Sequence, residues 1–261
     1  MPRYKLTIAY DGTSFHGWQK QHPPGEEPLR TVQGVMEEAI VAVVREPVHL
    51  VGASRTDSGV HARGQAAAFD TQNEIPMDRL PRAVNSRLPD DVQVLSAEIV
   101  AGDFNPISDA IAKGYRYTIA HSTINGGEMP LFDRHLVAWT VYTLDAARMN
   151  EAAQHFVGER DFASFTRKHH GRESTVRTVH ECKVEAVDQF RINIDISGGG
   201  FLYNMVRIIA GTLLEVGRGK LEPGAIAGII EARDRASAGP TMPPEGLCLM
   251  WVKYPGSAQP A

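Results

Sequence analysis

The sequence has too few cysteines for a disulfide framework or a cysteine-ligated metal site. Cys182 and Cys248 are its only two, and they lie far apart in segments that resemble strands. Two isolated cysteines are typical of proteins kept in a reducing compartment. We therefore expect both to be reduced, buried, small apolar side chains of a cytoplasmic protein.

Long apolar runs are also missing. No stretch of about 18 consecutive apolar residues occurs, and the opening residues 1–4 lead directly into a strand-like run. We expect neither a membrane-spanning helix nor a signal peptide, and no membrane partner.

An excess of positive charge is absent, since 27 Lys and Arg are outnumbered by 31 Asp and Glu, for a net charge of −4. This argues against a protein that coats nucleic acid, which is normally basic. An enzyme acting on nucleic acid needs only a locally positive cleft. The densest basic cluster, Arg167–Arg172, is either part of such a cleft or a solvated loop.

Several catalytic signatures are incomplete. The triple glycine at 198–200 lacks the Lys-Ser/Thr pair of a phosphate-binding P-loop. Asp57-Ser58-Gly59 matches the triplet of aspartic proteases, but no second copy supplies the partner carboxylate. The ten histidines show no metal-ligand spacing, and no nucleophile elbow occurs. We expect no metal and no small-molecule cofactor.

One short stretch is chemically dense. Residues 52–62 form a glycine-bracketed loop between two strand-like runs, at 48–51 and 65–69, and the loop contains Arg55, Asp57 and His61. A solvated hairpin turn would account for the aspartate and the glycines. It would not account for the arginine and histidine beside them, so we interpret this loop as a candidate catalytic site.

Periodicity predicts a mixed fold. Apolar residues at helical spacing predict helices over 32–44, capped by Thr31 and ended by Pro47, and over 149–157, stopped by Gly158. A third, nearly all-apolar helix is predicted from Leu202 to Glu215. Strands are predicted at 6–10, 92–95, 114–119, 136–142, 182–186, 190–196 and 247–252. The pattern indicates one α+β unit with a large sheet.

Two further positions carry chemistry. Alternation along the 114–119 strand places Tyr115 and Tyr117 on one face and Arg116 on the other. Aromatic rings there could stack on a base or fill the core. Arg207 is the only charge on the apolar helix before Glu215, and a buried guanidinium requires an acidic partner.

These residues resemble the tRNA pseudouridine synthase A family. The resemblance covers nearly the whole chain through motifs in the same order: Tyr10-Asp11-Gly12, Phe15–Gln19, Thr31-Val32-Gln33, Arg55–Ala62, Lys113–Tyr117, Asp161–Phe165, Gly200–Leu202, Met205–Arg207 and Glu245–Leu247. It implies a pseudouridine-synthase fold, with two similar α/β halves sharing a large, mainly antiparallel sheet and a central cleft. The halves are expected at 1–110, with the catalytic loop, and at 111–261, together forming one catalytic unit.

The resemblance also implies function. It predicts isomerisation of uridine to pseudouridine at positions 38, 39 and 40 of the tRNA anticodon stem-loop, by a homodimer without a cofactor. Asp57 would be the catalytic residue. Tyr115 would stack on the flipped base, Arg55 would help flip and hold the nucleotide, and Arg207 would pair with Asp57.

Two departures and one alternative accompany this interpretation. By comparison with the family, Ile107 stands where many relatives carry an arginine, so the phosphate contact implied for that arginine is not expected here, and the 23–29 loop is longer than usual. The alternative is a non-catalytic tRNA-binding or folding protein on the same scaffold. An intact Asp57 speaks against it, because a binder of phosphates gains nothing from a carboxylate.

Overall fold

The structure is a computed structural model that describes residues 1–25, 27–123, 127–167 and 174–256. These residues form ten strands: β1 Arg3–Tyr10, β2 Val51–Gly52, β3 His61–Asp70, β4 Val92–Val100, β5 Ala112–His121, β6 Ala138–Thr140, β7 Gly158–Asp161, β8 Val176–Ala186, β9 Arg191–Gly198 and β10 Leu247–Lys253. They also form five α-helices: α1 Val32–Val44, α2 Leu80–Asn85, α3 Ala146–Ala153, α4 Met205–Gly217 and α5 Ala225–Ala232. Of the strand pairings with a described register, all but β5 with β6 are antiparallel. The predicted α+β class with mainly antiparallel pairing is confirmed.

The chain divides into two compact units. The first comprises Met1–Ile111 and the residues from Leu249 onward, and the second comprises Ala112–Cys248. The division therefore falls within β10, and the residues after it group with the first unit.

The first unit has the strand order β4-β1-β3-β10, with β2 paired to β3. Alternate residues of β1 are buried, as the period of two requires for a strand with one face on the core. Helix α1 contributes buried apolar residues at helical spacing, including Val32, Met36 and Ile40. The Thr31 side chain accepts a hydrogen bond from the Gly34 N–H, so the predicted N-cap is confirmed.

The strand predicted at 48–51 is mostly wrong, since β2 contains only Val51–Gly52. The backbone of Leu50 is bonded to helix side chains. Its N–H donates to Glu37 Oε1 and its carbonyl accepts from Gln33 Nε2, each at 2.9 Å. Glu37 and Gln33 are buried one turn apart on α1, and their polar groups replace a strand partner.

The second unit has the strand order β5-β9-β8-β7, with β6 beside β5. Its α3 packs on β8 and on α4, and every residue of α4 except Arg207 is buried. The predicted helix start at Leu202 is three residues early, because Asn204 adopts a left-handed conformation (φ 59°) before the helix. The helix predicted over 149–157 is shifted: α3 spans Ala146–Ala153 and is followed by a 3-10 turn over Gln154–Phe156. Gly158 (φ 102°) is the first residue of β7, so the prediction that it stops this helix is wrong.

Neither Cys182 nor Cys248 takes part in a disulfide; Cys182 is buried as predicted, whereas Cys248 is only half-buried. Burial raises the pKa of Cys182 to about 12. In the described part of the chain, every helix is too short or too polar to cross a bilayer.

Candidate active site

Residues 53–60 connect β2 to β3 and are called the signature loop below; they alternate between inward and outward positions. Ser54 and Thr56 are buried, whereas Arg55 is exposed and Asp57 is half-buried. After Asp57 the chain reverses: the Val60 N–H donates to the Asp57 carbonyl at 3.2 Å, and Gly59 takes φ 78°. The loop therefore presents Arg55 and Asp57 from a backbone that is anchored by the residues between them.

The segment from Tyr10 to Trp18, called the opening motif below, braces this loop. The Phe15 carbonyl accepts from both the Ser58 hydroxyl (3.1 Å) and the Gly59 N–H (3.3 Å). The Trp18 N–H donates to the Thr56 carbonyl at 3.1 Å, and the Tyr10 and Thr56 hydroxyls are 2.8 Å apart. Hydrogen bonds thus hold the residues on both sides of Asp57.

Glycines in this region allow backbone to approach backbone. At Gly17, which has φ 87°, an added Cβ would lie 2.7 Å from the Thr56 carbonyl oxygen. At Gly12 it would lie 2.1 Å from the Val60 carbonyl oxygen. Only a residue without a side chain permits these contacts. The glycines of the opening motif are therefore needed where that motif meets the signature loop.

Gln65 on β3 completes the support. It is fully buried, accepts from the Ser54 N–H at 3.1 Å and donates to the Ser54 carbonyl at 2.6 Å. This pair satisfies both backbone groups of the residue before Arg55. Gln65 was not predicted from the sequence, in which its only signal is an amide beside the apolar run Ala66–Phe69.

His61 of the signature is buried, and its Nδ1 accepts from the Gly12 N–H at 3.0 Å. The Asp11 carboxylate lies 3.2 Å from the same nitrogen. His61 connects the loop to the opening motif.

The aromatic residues of the opening motif lie in the core. Phe15 and Trp18 are at most 2% exposed. An added Cβ at Gly52 would lie 2.3 Å from the Trp18 ring, so this loop glycine is also required by packing.

In the second unit, Tyr115 and Tyr117 of β5 differ in burial. Tyr117 is fully buried, which confirms that at least one of them serves the core. Tyr115 is half-buried, and its ring meets Phe201 edge-on, with centroids 5.3 Å apart and planes at 87°. This contact fixes the orientation of the Tyr115 ring.

Arg116, on the opposite face of β5, forms a two-point ion pair with Asp195 of β9 at 2.8 and 2.9 Å. The hydrogen bond to Asp195 raises the pKa of Arg116. Because this pair already occupies the guanidinium, Arg116 is a poor candidate for a contact with RNA phosphate.

Arg207 lies in the first turn of α4 and is held by oxygen acceptors. Its Nε donates to the Met242 carbonyl at 2.7 Å, and a terminal nitrogen donates to Asn204 Oδ1 at 3.1 Å. The structure thus places Arg55 and Asp57 in the first unit, and Tyr115 and Arg207 in the second. The pairing of Arg207 with Asp57 stays a prediction.

Other predicted features are only partly described. In the basic cluster, the Arg167 guanidinium lies 4.3 Å from the centre of the Tyr203 ring, and residues 168–172 fall outside the described residues. Ile107 is 52% exposed on a tight turn in which Asn105 Oδ1 accepts from its N–H. Within the described ranges, no three His, Cys, Asp or Glu side chains are grouped to hold a metal.

Comparison with known proteins identifies the family. The family model for tRNA pseudouridine synthase matches residues 6–105 and 152–255, segments that contain Arg55, Asp57 and Arg207 but not Tyr115. The assignment of Tyr115 to the site thus rests on the motif resemblance and the geometry.

Full-length relatives agree with this match. The chain is 44% identical over 254 residues to tRNA pseudouridine synthase A 2 of Clostridium perfringens, covering 97% of this chain and all of that protein. It is 44% identical over 255 residues to tRNA pseudouridine synthase A of Pelobacter propionicus, with the same coverage. The sequence-based recognition is confirmed: the chain belongs to the tRNA pseudouridine synthase family.

Proposed function

We propose that this chain isomerises uridine to pseudouridine in tRNA, at positions 38, 39 and 40 of the anticodon stem-loop. The observation that carries the proposal is the bracing of the signature loop. A half-buried Asp57 is held between Thr56 and Ser58, whose backbone or hydroxyl groups are bonded to Trp18 and Phe15. A scaffold used only for binding would not require a carboxylate fixed in this way.

The reaction needs little beyond this site. The bond between C1′ and N1 breaks, a bond between C1′ and C5 forms, the C5 proton leaves and N1 gains a proton. Atoms and electrons balance within uridine and exchangeable protons, so we propose no cofactor and no metal. An oriented, ionised aspartate can act as the nucleophile or base that such a rearrangement requires.

The other three residues receive roles as follows. The target nucleotide must leave the stem, because its glycosidic bond is inaccessible while the base is stacked. Arg55, exposed two residues before Asp57, would help flip and hold it. Tyr115, oriented by Phe201, would stack on the flipped base and assist the late proton removal. Arg207 would pair with Asp57 and keep it ionised.

We further propose that the enzyme is a cytoplasmic homodimer in which one tRNA contacts both subunits. A net charge of −4 on the chain makes a positive surface assembled from two subunits reasonable. Light scattering should then give twice the chain mass of 28.6 kDa. A monomeric mass for an active enzyme would contradict this part of the proposal.

The decisive experiment uses a tRNA transcript with uridine at positions 38 to 40 and a second transcript with cytidine there. Wild-type protein should form pseudouridine in the first transcript only. Asp57→Ala should form none while melting and binding tRNA like wild type. The matched control is Asp90→Ala, which removes an exposed loop carboxylate of the same unit and should retain full activity.

The alternative function gives a different result. If wild type binds the transcript but forms no pseudouridine under single-turnover conditions, the chain is a non-catalytic tRNA-binding protein. If Asp57→Ala still forms pseudouridine, the catalytic role of Asp57 is wrong.

A further inference from the structure

A buried hydroxyl and the guanidinium of Arg207 are bonded to consecutive peptide units. The Tyr117 hydroxyl donates to the Pro243 carbonyl at 2.7 Å. Arg207 Nε donates to the Met242 carbonyl at 2.7 Å, and the Met242 N–H donates back to the Arg207 carbonyl at 3.2 Å. The 242–243 segment thus joins β5 to the first turn of α4.

This segment has little freedom to move. Gly211 of α4 lies so close to Pro240 that an added Cβ would be 1.9 Å from the proline carbonyl oxygen. At the other end, an added Cβ on Gly246 would lie 2.6 Å from Cζ of the Tyr117 ring. Both ends of the segment are therefore packed against backbone or ring, and the Tyr117 hydroxyl fixes its middle.

The charges around Tyr117 agree with this arrangement. Burial, with a contribution from Glu245, raises the pKa of Tyr117 well above its usual value, and the positive charge of Arg207 acts in the opposite direction. The hydroxyl therefore remains a neutral donor at every pH at which the enzyme would work. A neutral, fully buried donor suits a structural bond and not proton transfer.

We propose that Tyr117 is a positioning residue for Arg207. Its hydroxyl holds the Pro243 carbonyl, which keeps the neighbouring Met242 carbonyl where it binds Arg207 Nε and fixes the direction of the guanidinium. This proposal rests on the functional role of Arg207 proposed above, and it assigns Tyr117 a part in orientation without contact with RNA.

The first test is independent of activity. In protein labelled with ¹⁵N at arginine Nε, the Arg207 Nε–H signal is identified by its loss in Arg207→Lys. Tyr117→Phe removes the hydroxyl and keeps the ring, and should speed exchange of this signal with water at least tenfold. Unchanged exchange in a folded Tyr117→Phe variant would overturn the proposal, whether or not the protein makes pseudouridine.

The second test is kinetic. Misplacing a fixed group by about 1 Å costs up to a hundredfold in rate. Tyr117→Phe should therefore lower the single-turnover rate constant about tenfold or more, with tRNA affinity within twofold of wild type. In the Arg207→Ala background, Tyr117→Phe should produce no further loss of rate, because Tyr117 would act only by orienting the Arg207 guanidinium. Equal losses in both backgrounds would show that Tyr117 acts independently of Arg207.

A matched control separates positioning from stability. Tyr4 is also a buried tyrosine, and its hydroxyl donates to the Ile75 carbonyl at 2.9 Å in the first unit. Tyr4→Phe should lower the melting temperature as Tyr117→Phe does and leave the rate constant unchanged. An equal rate loss in Tyr4→Phe would show that general destabilisation explains the effect of Tyr117→Phe.

If Tyr117→Phe does not fold, Gly246→Ala provides a second variant, since the added Cβ would displace the Tyr117 ring. Faster Arg207 Nε–H exchange in Gly246→Ala would support the proposal, and unchanged exchange would overturn it.

Discussion

At the scale of single residues, the buried amide of Gln65 is one of the anchors of the signature loop. Gln65 bonds both backbone groups of Ser54, and it does so from a fully buried position. A buried polar group that loses its partner costs about 1–3 kcal/mol. The orientation of Arg55 and Asp57 therefore depends on a side chain that never reaches the surface.

We expect Gln65→Leu to lower the free energy of unfolding by about 2–3 kcal/mol, because it leaves the Ser54 N–H and carbonyl unpaired. It should also reduce pseudouridine formation at least tenfold, since the loop carrying Asp57 loses an anchor. Urea unfolding and single-turnover rates measure the two effects.

Asn85→Leu is the control for this prediction. Asn85 makes the same double contact with the backbone of Val94, at 2.9 and 2.8 Å, away from the signature loop. Its loss should lower stability without slowing the reaction. An equal rate loss in both variants would contradict the anchoring role of Gln65.

The two cysteines should differ in reactivity. The thiolate is the nucleophile, and a pKa of about 12 leaves only about one Cys182 thiol in 10⁴ ionised at pH 8. Iodoacetamide should label Cys248 alone in the folded protein and both cysteines in urea, as read by mass spectrometry. Labelling of Cys182 in a folded Cys248→Ser variant would contradict this prediction.

The raised pKa of Cys182 also determines the direction in which stability changes with pH. The unfolded Cys182 thiol loses its proton near pH 8.5, whereas the folded one holds it until about pH 12. The contribution of this neutral thiol to the free energy of unfolding is therefore complete below pH 8.5 and is lost between pH 8.5 and 12.

At the scale of elements, the site is built where the turn after β1 meets the loop before β3. Gly17 and Gly12 lie so near Thr56 and Val60 that side chains are excluded. Two motifs that are more than 30 residues apart in the sequence are thus parts of one structural element.

Gly17→Ala should lower the free energy of unfolding by about 2–4 kcal/mol, because it combines a φ of 87° with a Cβ 2.7 Å from the Thr56 carbonyl oxygen. Gly25→Ala is the control: it has φ 78°, but no atom of the described residues lies within 4 Å of the added Cβ, and it should cost only about 1 kcal/mol. Equal costs, measured by urea unfolding, would show that backbone strain alone decides and that the close approach is unimportant.

At the same scale, local patterns predicted some elements and not others. The helix over 32–44 has the spacing, cap and terminal breaker that fix a helix within a few residues, and it was predicted to the residue. The strand at 48–51 failed because Gln33 and Glu37 take the backbone of Leu50. That competition is between residues distant in the chain, and no local pattern contains it.

At the scale of the whole molecule, a chain with net charge −4 must bind an anion through local cations. Each neutralised phosphate releases bound counterions, so binding weakens as salt rises. With about three phosphate contacts, raising KCl from 50 to 200 mM should weaken tRNA binding roughly 20- to 40-fold.

Filter binding at constant magnesium measures this effect, and Arg55→Ala should reduce its slope. A salt-independent affinity would contradict binding through the phosphate backbone. Arg116→Ala is a suitable comparison, because Arg116 is paired with Asp195 and should leave the slope unchanged.

The sequence by itself determined the α+β class, most helices and strands, the family and the candidate residues Arg55, Asp57, Tyr115 and Arg207. These follow from periodicity, capping and short motifs, which depend on neighbours within a few positions. Only the tertiary structure showed that the Gln65 amide bonds to the Ser54 backbone and that Arg116 pairs with Asp195. It also showed that the Tyr117 hydroxyl bonds to the segment that holds Arg207. Each of these results is a hydrogen bond between residues 11 to 126 positions apart in the sequence, and tertiary packing, which local patterns do not contain, selects such partners.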